Sequence, residues 1–587
     1  MDSDWCQGFP HDAVLVKLLE VSNLNSTPEP IIYDAYGLEK TYAELLGDIL
    51  ETRDRIRRAV STSSLDDRGF FLEAAPYTGY LGLSGYEFVV AFFATRALAG
   101  ACMPFGSRIL PREAHSFLVS SKACVLLVGK HRVDEGQRIK EYSQRHGHNF
   151  QVALISSDAP PAAANSITVD NSILLDDGGP GFVIFTSGTT GPPKGAVLPR
   201  RCLSYQGAAT PGSATICDRP PHWIGGAYPL LESTLIGRRM YVLKSGATAS
   251  AIWDAFRAYK VDHMAFTPGM FRRMKQDYQD RICNLPQDEQ RQYIEGIRNL
   301  KTAWQAGGMP SESMLEFWRT MIGKPIVMKY GSTELGGLVT EHDGLSTIKY
   351  SVGKPYEHVD LKLSDGDSGT IFVRCPQMMT QYVQTARTSI ISPARVANKK
   401  TRSSYIGSED ATRKAFDSEG YLDSGDLGHF QNGELVYDGR ASNEYIFFNG
   451  YRIPILSLEH ALEDLPYVSE GHIVAVPDHE SNELCGVLAR VQNTDDGEKV
   501  NLARIRADLS KDHPTYKLPV LLRILRDDED VPATVSTKTM KRQAAKKFFL
   551  KDDYWSVESP TPGVEYWSEP EDEEHTGKTW DWAGLQR

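Results

Sequence analysis

Apolar and polar positions alternate along this chain with two different periods, and the switches between them outline its elements. Val14–Val21 carries its apolar side chains on one side and reads as a helix, and Ile31-Ile32-Tyr33 is a short β-prone run. Thr41 followed three positions later by Glu44 is a capping-box signal, predicting a helix through Ile49. Phe88–Ala99 reads as a helix leading into Cys102-Met103-Pro104. Strand-like runs then recur at Cys124–Val128, Val152–Ile155 and Phe182–Phe185. Ala251–Tyr259 followed by His263–Phe266 repeats the helix–strand unit, and Val327-Met328 is expected to end in a glycine-rich turn at Tyr330-Gly331. Helices interleaved with apolar strands predict α/β layers with largely parallel sheets.

After about residue 355 the period becomes two. Val359–Leu363 and Gly369–Val373 alternate like half-exposed strands joined at Gly366. Beyond Arg440 a smaller α+β unit is expected, with helices at Leu456–Asp464 and Leu502–Leu509 and strands at His472–Val476 and Gly486–Val491. The expected organisation is a large layered domain over 1–440 with parallel and mixed sheets, a small α+β domain over 441–550, and a tail over 551–587. Within the large domain, 385–410 is polar, with five Lys/Arg in 26 positions, and reads as a surface insertion. The tail holds ten acidic side chains but also Trp555, Trp567, Trp580 and Trp582. Indoles bury large apolar areas, so the tail is expected to pack on the body.

Composition narrows the class. A 587-residue chain needs more than one core. Its net charge of −12 offers no footprint for nucleic acid, and no stretch is apolar and long enough to predict a membrane span. The eight cysteines form no CxxC pair, and the N-terminus has no basic start before an apolar run. A cytoplasmic protein with reduced thiols is expected.

The chemistry concentrates in five clusters. Thr186-Ser187-Gly188-Thr189-Thr190-Gly191-Pro192-Pro193-Lys194 follows a strand and offers backbone N–H groups, hydroxyls and one ammonium to an anion, a phosphate cradle without Walker A spacing. Pro221-His222-Trp223-Ile224-Gly225-Gly226 joins a histidine–aromatic pair to a flexible turn. Ala306-Gly307-Gly308 is a glycine-rich segment. Tyr330-Gly331-Ser332-Thr333-Glu334 delivers a ring, two hydroxyls and a carboxylate that suits Mg²⁺ beside phosphates. Ser424-Gly425-Asp426, read as a turn, precedes Arg440, and the pair suits ribose hydroxyls and a phosphate or ribose oxygen.

In this order, and with Tyr516-Lys517-Leu518-Pro519 and Pro532–Lys538 behind them, these clusters resemble the adenylate-forming superfamily: acyl- and aryl-CoA synthetases, stand-alone adenylation domains and luciferases. The resemblance covers roughly 30–550. It implies a large nucleotide-binding domain and a small domain that reorients over the active site. It also implies ATP, Mg²⁺ and coenzyme A (or the phosphopantetheine of a separate carrier protein) as cofactors, and a small carboxylic acid as substrate. The residues it implies are Lys538, Glu334 and Thr190 for catalysis, with Glu334 on the metal. Thr186, Ser187, Gly188, Thr189, Thr190, Lys194, Gly308, Tyr330, Gly331, Ser332, Thr333, Asp426 and Arg440 would bind the nucleotide. His222, Trp223, Gly226, Ala306 and Gly307 would bind the carboxylic acid. The chain departs from the pattern at Thr537, where a glycine usually precedes the lysine, and in the run after Arg440, where Asn443 or Glu444 is the hinge candidate. A catalytically impaired nucleotide-binding regulator is the alternative those departures leave.

Overall fold

The computed structural model describes residues 8–26, 28–72, 76–107, 109–186, 194–204, 210–244, 246–384, 409–440, 445–448, 451–479, 481–492, 499–513, 515–534, 539–557 and 559–567. Two large sheets build the N-terminal part. One has seven strands in the spatial order Gln381–Gln384, Lys194–Pro199, Pro180–Thr186, Ala101–Pro104, Tyr77–Leu81, Val125–Val128 and Gln151–Leu154. It is parallel except where Lys194–Pro199 pairs antiparallel to both of its neighbours. The other has thirteen strands. Its parallel portion runs from Ile32–Asp34 through Arg239–Val242, Ala214–Cys217, His263–Phe266 and Thr302–Gln305 to Ile326–Ser332. Beyond Ile326–Ser332 the sheet is antiparallel, through Gly337–Glu341, Ser351–Pro355, Glu434–Arg440, Leu422–Gln431 and Ser368–Arg374 to Asp360–Leu363.

Local signals account for most helices. Thr41 caps Tyr42–Ala59, and the reciprocal bond from its backbone N–H to Glu44 completes the capping box. Helix Tyr86–Arg96 is buried on every face, as a helix apolar all round must be. It ties the two sheets together. Its first turn rests on Asp34 of the thirteen-stranded sheet through a 2.9 Å bond from the Tyr86 N–H, while Phe88 and Phe92 pack on Phe182 of the other. Gly85 tolerates no side chain there, because a Cβ would lie 2.4 Å from Asp34 Oδ2 and its φ is +119°.

The C-terminal part has its own core. Strands Val468–Asp478 and Asn482–Val491 pair antiparallel, and helices Ile455–Glu463, Leu502–Leu509 and Lys541–Phe548 cover them. That core does not stop at residue 550. Trp555 is 4% exposed within it, Val564–Tyr566 pairs with Leu521–Ile524, and the Arg506 guanidinium lies 4.2 Å from the Trp567 ring centroid. Trp580, Trp582 and most of the 385–410 segment lie outside the described residues.

Three local readings are corrected. Gly331 is not a turn: the strand continues to Ser332, and the glycine lets Gly337 cross close by, since a Cβ would meet its carbonyl oxygen at 2.0 Å. The reversal comes later, and Gly336 and Gly337 take its positive φ values of 70° and 119°. Gly225 and Gly226 lie in the first turn of helix Ile224–Ile236 rather than in a flexible turn; Gly226 is required where a Cβ would strike the Pro220 oxygen at 2.1 Å. Ser424-Gly425-Asp426 lies within strand Leu422–Gln431, with the positive φ of Gly425 (69°) absorbed inside it.

The deepest ion pair of the large domain joins its N-terminal helix to helix Tyr86–Arg96. Arg96 meets Asp12 with Nε–Oδ1 at 2.8 Å and Nη2–Oδ2 at 2.9 Å, with the two side chains 2% and 3% exposed. Asp12 Oδ1 also caps helix Ala13–Leu24. Removing one partner strands the other's charge, so Asp12→Ala should cost about 3–5 kcal/mol in the unfolding of this domain. Denaturant titration followed by tryptophan fluorescence measures it, and a loss under about 1 kcal/mol contradicts the assignment.

Candidate active site

The strand pair around the phosphate-loop motif holds its two ends side by side. Thr186 is in register with Lys194, and its Oγ1 donates to the Lys194 carbonyl at 3.2 Å. The loop residues Ser187, Gly188, Thr189 and Thr190 lie outside the described residues. Lys194 holds its ammonium 5.3 Å from the Tyr382 ring centroid, and the Tyr382 hydroxyl donates to Glu334 Oε1 at 3.5 Å. Tyr382 thus brings together a cation and a carboxylate 140 residues apart in sequence. Sequence reading missed it, because a tyrosine in a short edge strand carries no motif.

The nucleotide-side residues meet across the antiparallel portion of the large sheet. Tyr330 is 7% exposed, and its hydroxyl donates to Asp426 Oδ2 at 2.7 Å. Asp426 is also 7% exposed; its N–H donates to Ser424 Oγ, and its backbone lies in register with that of Arg440. The Ser332 hydroxyl accepts from the Leu335 N–H, and the Thr333 carbonyl from the Gly336 N–H, closing the turn that presents Glu334.

On the carboxylate side, Trp223 is the N-cap residue of helix Ile224–Ile236, with the His222 ring edge-on to it at 5.4 Å. Burial pulls the His222 imidazole down to about 4, so it is neutral at pH 7. It packs beside Gly106, where a Cβ would sit 3.6 Å from Nε2. Ala306 follows the strand end, Gly307 takes φ +85°, and the Gly308 carbonyl accepts from the Gln305 amide at 2.6 Å.

Lys194, Tyr382, Glu334, Tyr330, Asp426, His222 and Trp223, with Ala306, Gly307 and Gly308, line one cleft of 3050 Å³ between the two units, whereas Gly226 is buried against Pro220 outside that lining. The small unit closes one side with Glu459, His460 and Glu463, and with Thr534 and Thr539, which flank the segment carrying Lys538. Lys538 and Thr537 lie outside the described residues, as do Asn443 and Glu444. Helix Ile455–Glu463 docks on the large unit. His460 Nε2 donates to the Met309 carbonyl at 2.9 Å, leaving Nδ1 to accept the Tyr350 hydroxyl at 3.1 Å. Glu463 pairs with Arg272, and Asp464 accepts from Ser313.

The donor set suits Mg²⁺ rather than a protein-caged metal. Among the described residues no group of three His, Cys, Asp or Glu side chains could hold a metal ion, whereas Glu334 is a single carboxylate linked to Lys194 through Tyr382. Mg²⁺ is held that way, by one or two carboxylates together with substrate phosphates. No helix among the described residues is long and apolar enough to cross a membrane.

Residues 79–383 match the family of AMP-binding enzymes, and the chain belongs to that family. ATP binding and adenylate-forming ligase chemistry come with that membership. Among similar proteins, the acyl-CoA ligase oryP of Aspergillus oryzae is 29% identical over 550 residues, covering 92% of this chain and 93% of that one. Among solved structures, ATP-bound MatB from Rhodopseudomonas palustris is 16% identical with a TM-score of 0.70, covering 91% of this chain and 99% of its own. The anthranilate CoA ligase AuaEII in complex with anthranoyl-AMP is 17% identical with a TM-score of 0.71, covering 92% and 98%. Both structures share the fold.

The docked helix carries a pH dependence. Burial pushes the Glu463 carboxyl up from its ordinary 4.5 to about 7, against the pull of Arg272; Glu459, His472 and Asp464 also act on it. Docked Glu463 therefore holds a proton that an undocked, solvated one releases above pH 4.5, so docking should weaken as pH rises from about 4.5 to 7. Glu463→Gln should flatten that window. Energy transfer between labels on the two units measures it, and docking that tightens with rising pH contradicts the sign.

Proposed function

We propose that the protein activates a small-molecule carboxylic acid with ATP as its acyl-adenylate and then transfers the acyl group to coenzyme A. The supporting observation is the convergence in one cleft of Lys194, Tyr382 and Glu334, the Tyr330–Asp426 pair, and the residues flanking Lys538. In the first step a substrate carboxylate oxygen bonds to the α-phosphorus, the bond to the β-phosphate breaks, and pyrophosphate departs with the electron pair. In the second, a thiol adds to the acyl carbonyl, and the bond to AMP breaks. The similarity to the Aspergillus oryzae acyl-CoA ligase supports coenzyme A as the acceptor rather than a carrier protein.

Each residue has a role that its surroundings suit. Lys194, with Thr186 and the loop hydroxyls of Ser187, Thr189 and Thr190, would hold the departing β- and γ-phosphates. Asp426 would accept ribose hydroxyl bonds, oriented by Tyr330, and Arg440 would meet a ribose or phosphate oxygen. Glu334 would hold Mg²⁺, which when bound offsets negative charge on the phosphates. Neutral His222 adds no charge to the pocket that it forms with Trp223, Ala306 and Gly307, while Gly226 lets the helix start pack against Pro220. Lys538 would meet the charge that grows on the phosphoryl oxygens. The large and small units would pivot at the segment after Arg440, with Asn443 or Glu444 as the hinge residue, presenting Lys538 for the first step and admitting the thiol for the second.

Lys538 supplies the test. Lys538→Ala should lower carboxylate-dependent pyrophosphate release by roughly 10²–10³-fold, the scale of losing one preorganised donor. Thioester formation from supplied acyl-adenylate should fall far less. Equal losses in both half-reactions, measured by pyrophosphate assay and thioester mass, would remove Lys538 from this role.

A further inference from the structure

Helix Ile224–Ile236 shows the cleft one stripe of side chains, Gly225, Tyr228, Pro229, Glu232 and Ile236, spaced as one helical face. Its opposite face, Leu230, Leu231 and Leu235, is buried in the core. Glu232 is the only charged member of the stripe. It stands nine residues beyond Trp223, about 13 Å farther along the helix axis. Lys329, from strand Ile326–Ser332, and Arg238, just beyond the helix, also line the cavity.

Two of these three charged groups are left over. Lys329 is engaged: its ammonium meets Glu341 at 2.5 Å and the Tyr356 hydroxyl at 3.4 Å and lies 5.4 Å from the Trp304 ring centroid. Arg238 has one side-chain bond, from Nε to Ser213 Oγ at 3.4 Å, and among the described residues no carboxylate pairs with it. Glu232 accepts no hydrogen bond among the described residues and forms no ion pair there. Its carboxyl is pushed up by burial, against the attraction of Arg238 and Lys329, which favours the form that can donate a proton to a bond. The guanidinium and the carboxyl attract each other through space, but among the described residues no hydrogen bond or ion pair joins them, so both keep bonding positions open to the cavity. A ligand's acidic group would engage both, accepting from the guanidinium and, where Glu232 holds its proton, from the carboxyl.

We propose that Arg238 and Glu232 recognise a second carboxylate at the far end of the substrate, making the preferred acid a dicarboxylic acid activated at one end. This rests on the adenylation reading and adds to it the class of acid. The stripe's other members, Tyr228, Pro229 and Ile236, would pack on the carbon chain between the two acid groups. Fixed donors at the far end also set a preferred chain length, because only one length reaches both Arg238 and the reacting end.

The experiment compares alkanedioic acids of increasing length with monocarboxylic acids of the same length, read as kcat/KM for pyrophosphate release by the full chain. One diacid should exceed its matched monoacid by roughly 10–100-fold, the discrimination expected of a site whose polar groups a monoacid would leave unpaired. In Arg238→Met that ratio should collapse towards one, and Arg238→Lys should restore part of it; melting temperatures confirm that each variant folds. Glu232→Gln, which can still donate, should keep most of the preference, whereas Glu232→Leu should lose it. Release with every acid but without a diacid preference, or a preference that Arg238→Met does not move, overturns the inference and leaves the adenylation reading standing. Release with no acid overturns that reading instead. Calorimetric binding of the diacids then decides the inference: binding that weakens in Arg238→Met upholds it, and absent or unaltered binding overturns it.

Discussion

Strand Ile326–Ser332 is the seam on which the molecule depends. Its hydrogen bonds to Thr302–Gln305 are parallel, and those to Gly337–Glu341 are antiparallel. One edge therefore belongs to an α/β layer whose strands end at Ala306-Gly307-Gly308. The other belongs to an antiparallel layer that carries Asp426 and Arg440. Only at such a seam do loops at the ends of parallel strands come within reach of residues in mid-strand. The Tyr330–Asp426 hydrogen bond spans it. Gly331 makes it possible, because any side chain there would hold the neighbouring strand away.

The same seam separates two kinds of pocket wall. Alternation along the strand sends Lys329 and Tyr330 to opposite faces. Tyr330 faces Asp426, while Lys329 faces Glu341, Tyr356 and Trp304. One strand thus separates the part of the cleft proposed for ATP from the part proposed for the acid. Its neighbour Thr302–Gln305 adds Trp304 to the acid side, where the indole carries the Lys329 ammonium.

Among the described residues the small unit meets this arrangement chiefly through helix Ile455–Glu463 and the adjoining Asp464, with Gln492 reaching Gln276. His460 binds a backbone carbonyl in the segment just after Gly307-Gly308, and Glu463 pairs with Arg272 on helix Pro268–Asp280, which follows strand His263–Phe266. Few, polar contacts of this kind suit an interface that must open and re-form, since little apolar area is lost on separation. Within the small unit, Glu459 accepts from Lys541 at 2.8 Å and from the Ile473 N–H at 3.1 Å. The docking helix is thereby tied to the first residue of the helix that follows the Lys538 segment.

Local chemistry was legible in the sequence where it depends on neighbours a few residues apart. The Thr41–Glu44 capping box, strand His263–Phe266 and helix Leu502–Leu509 follow from short-range pattern and stand where the pattern puts them. The ordered motifs likewise identified the family, because phosphate, ribose and carboxylate chemistry each require particular residue types at fixed local spacing. Tertiary structure decided the rest. Glycines 226 and 331 look like turn residues in sequence, yet each is set by how close another backbone passes, which no local pattern encodes. Tyr382 between Lys194 and Glu334 likewise joins distant segments. Their charges become partners, or are left without one, only when the sheets and helices pack and remove the water that would otherwise solvate them.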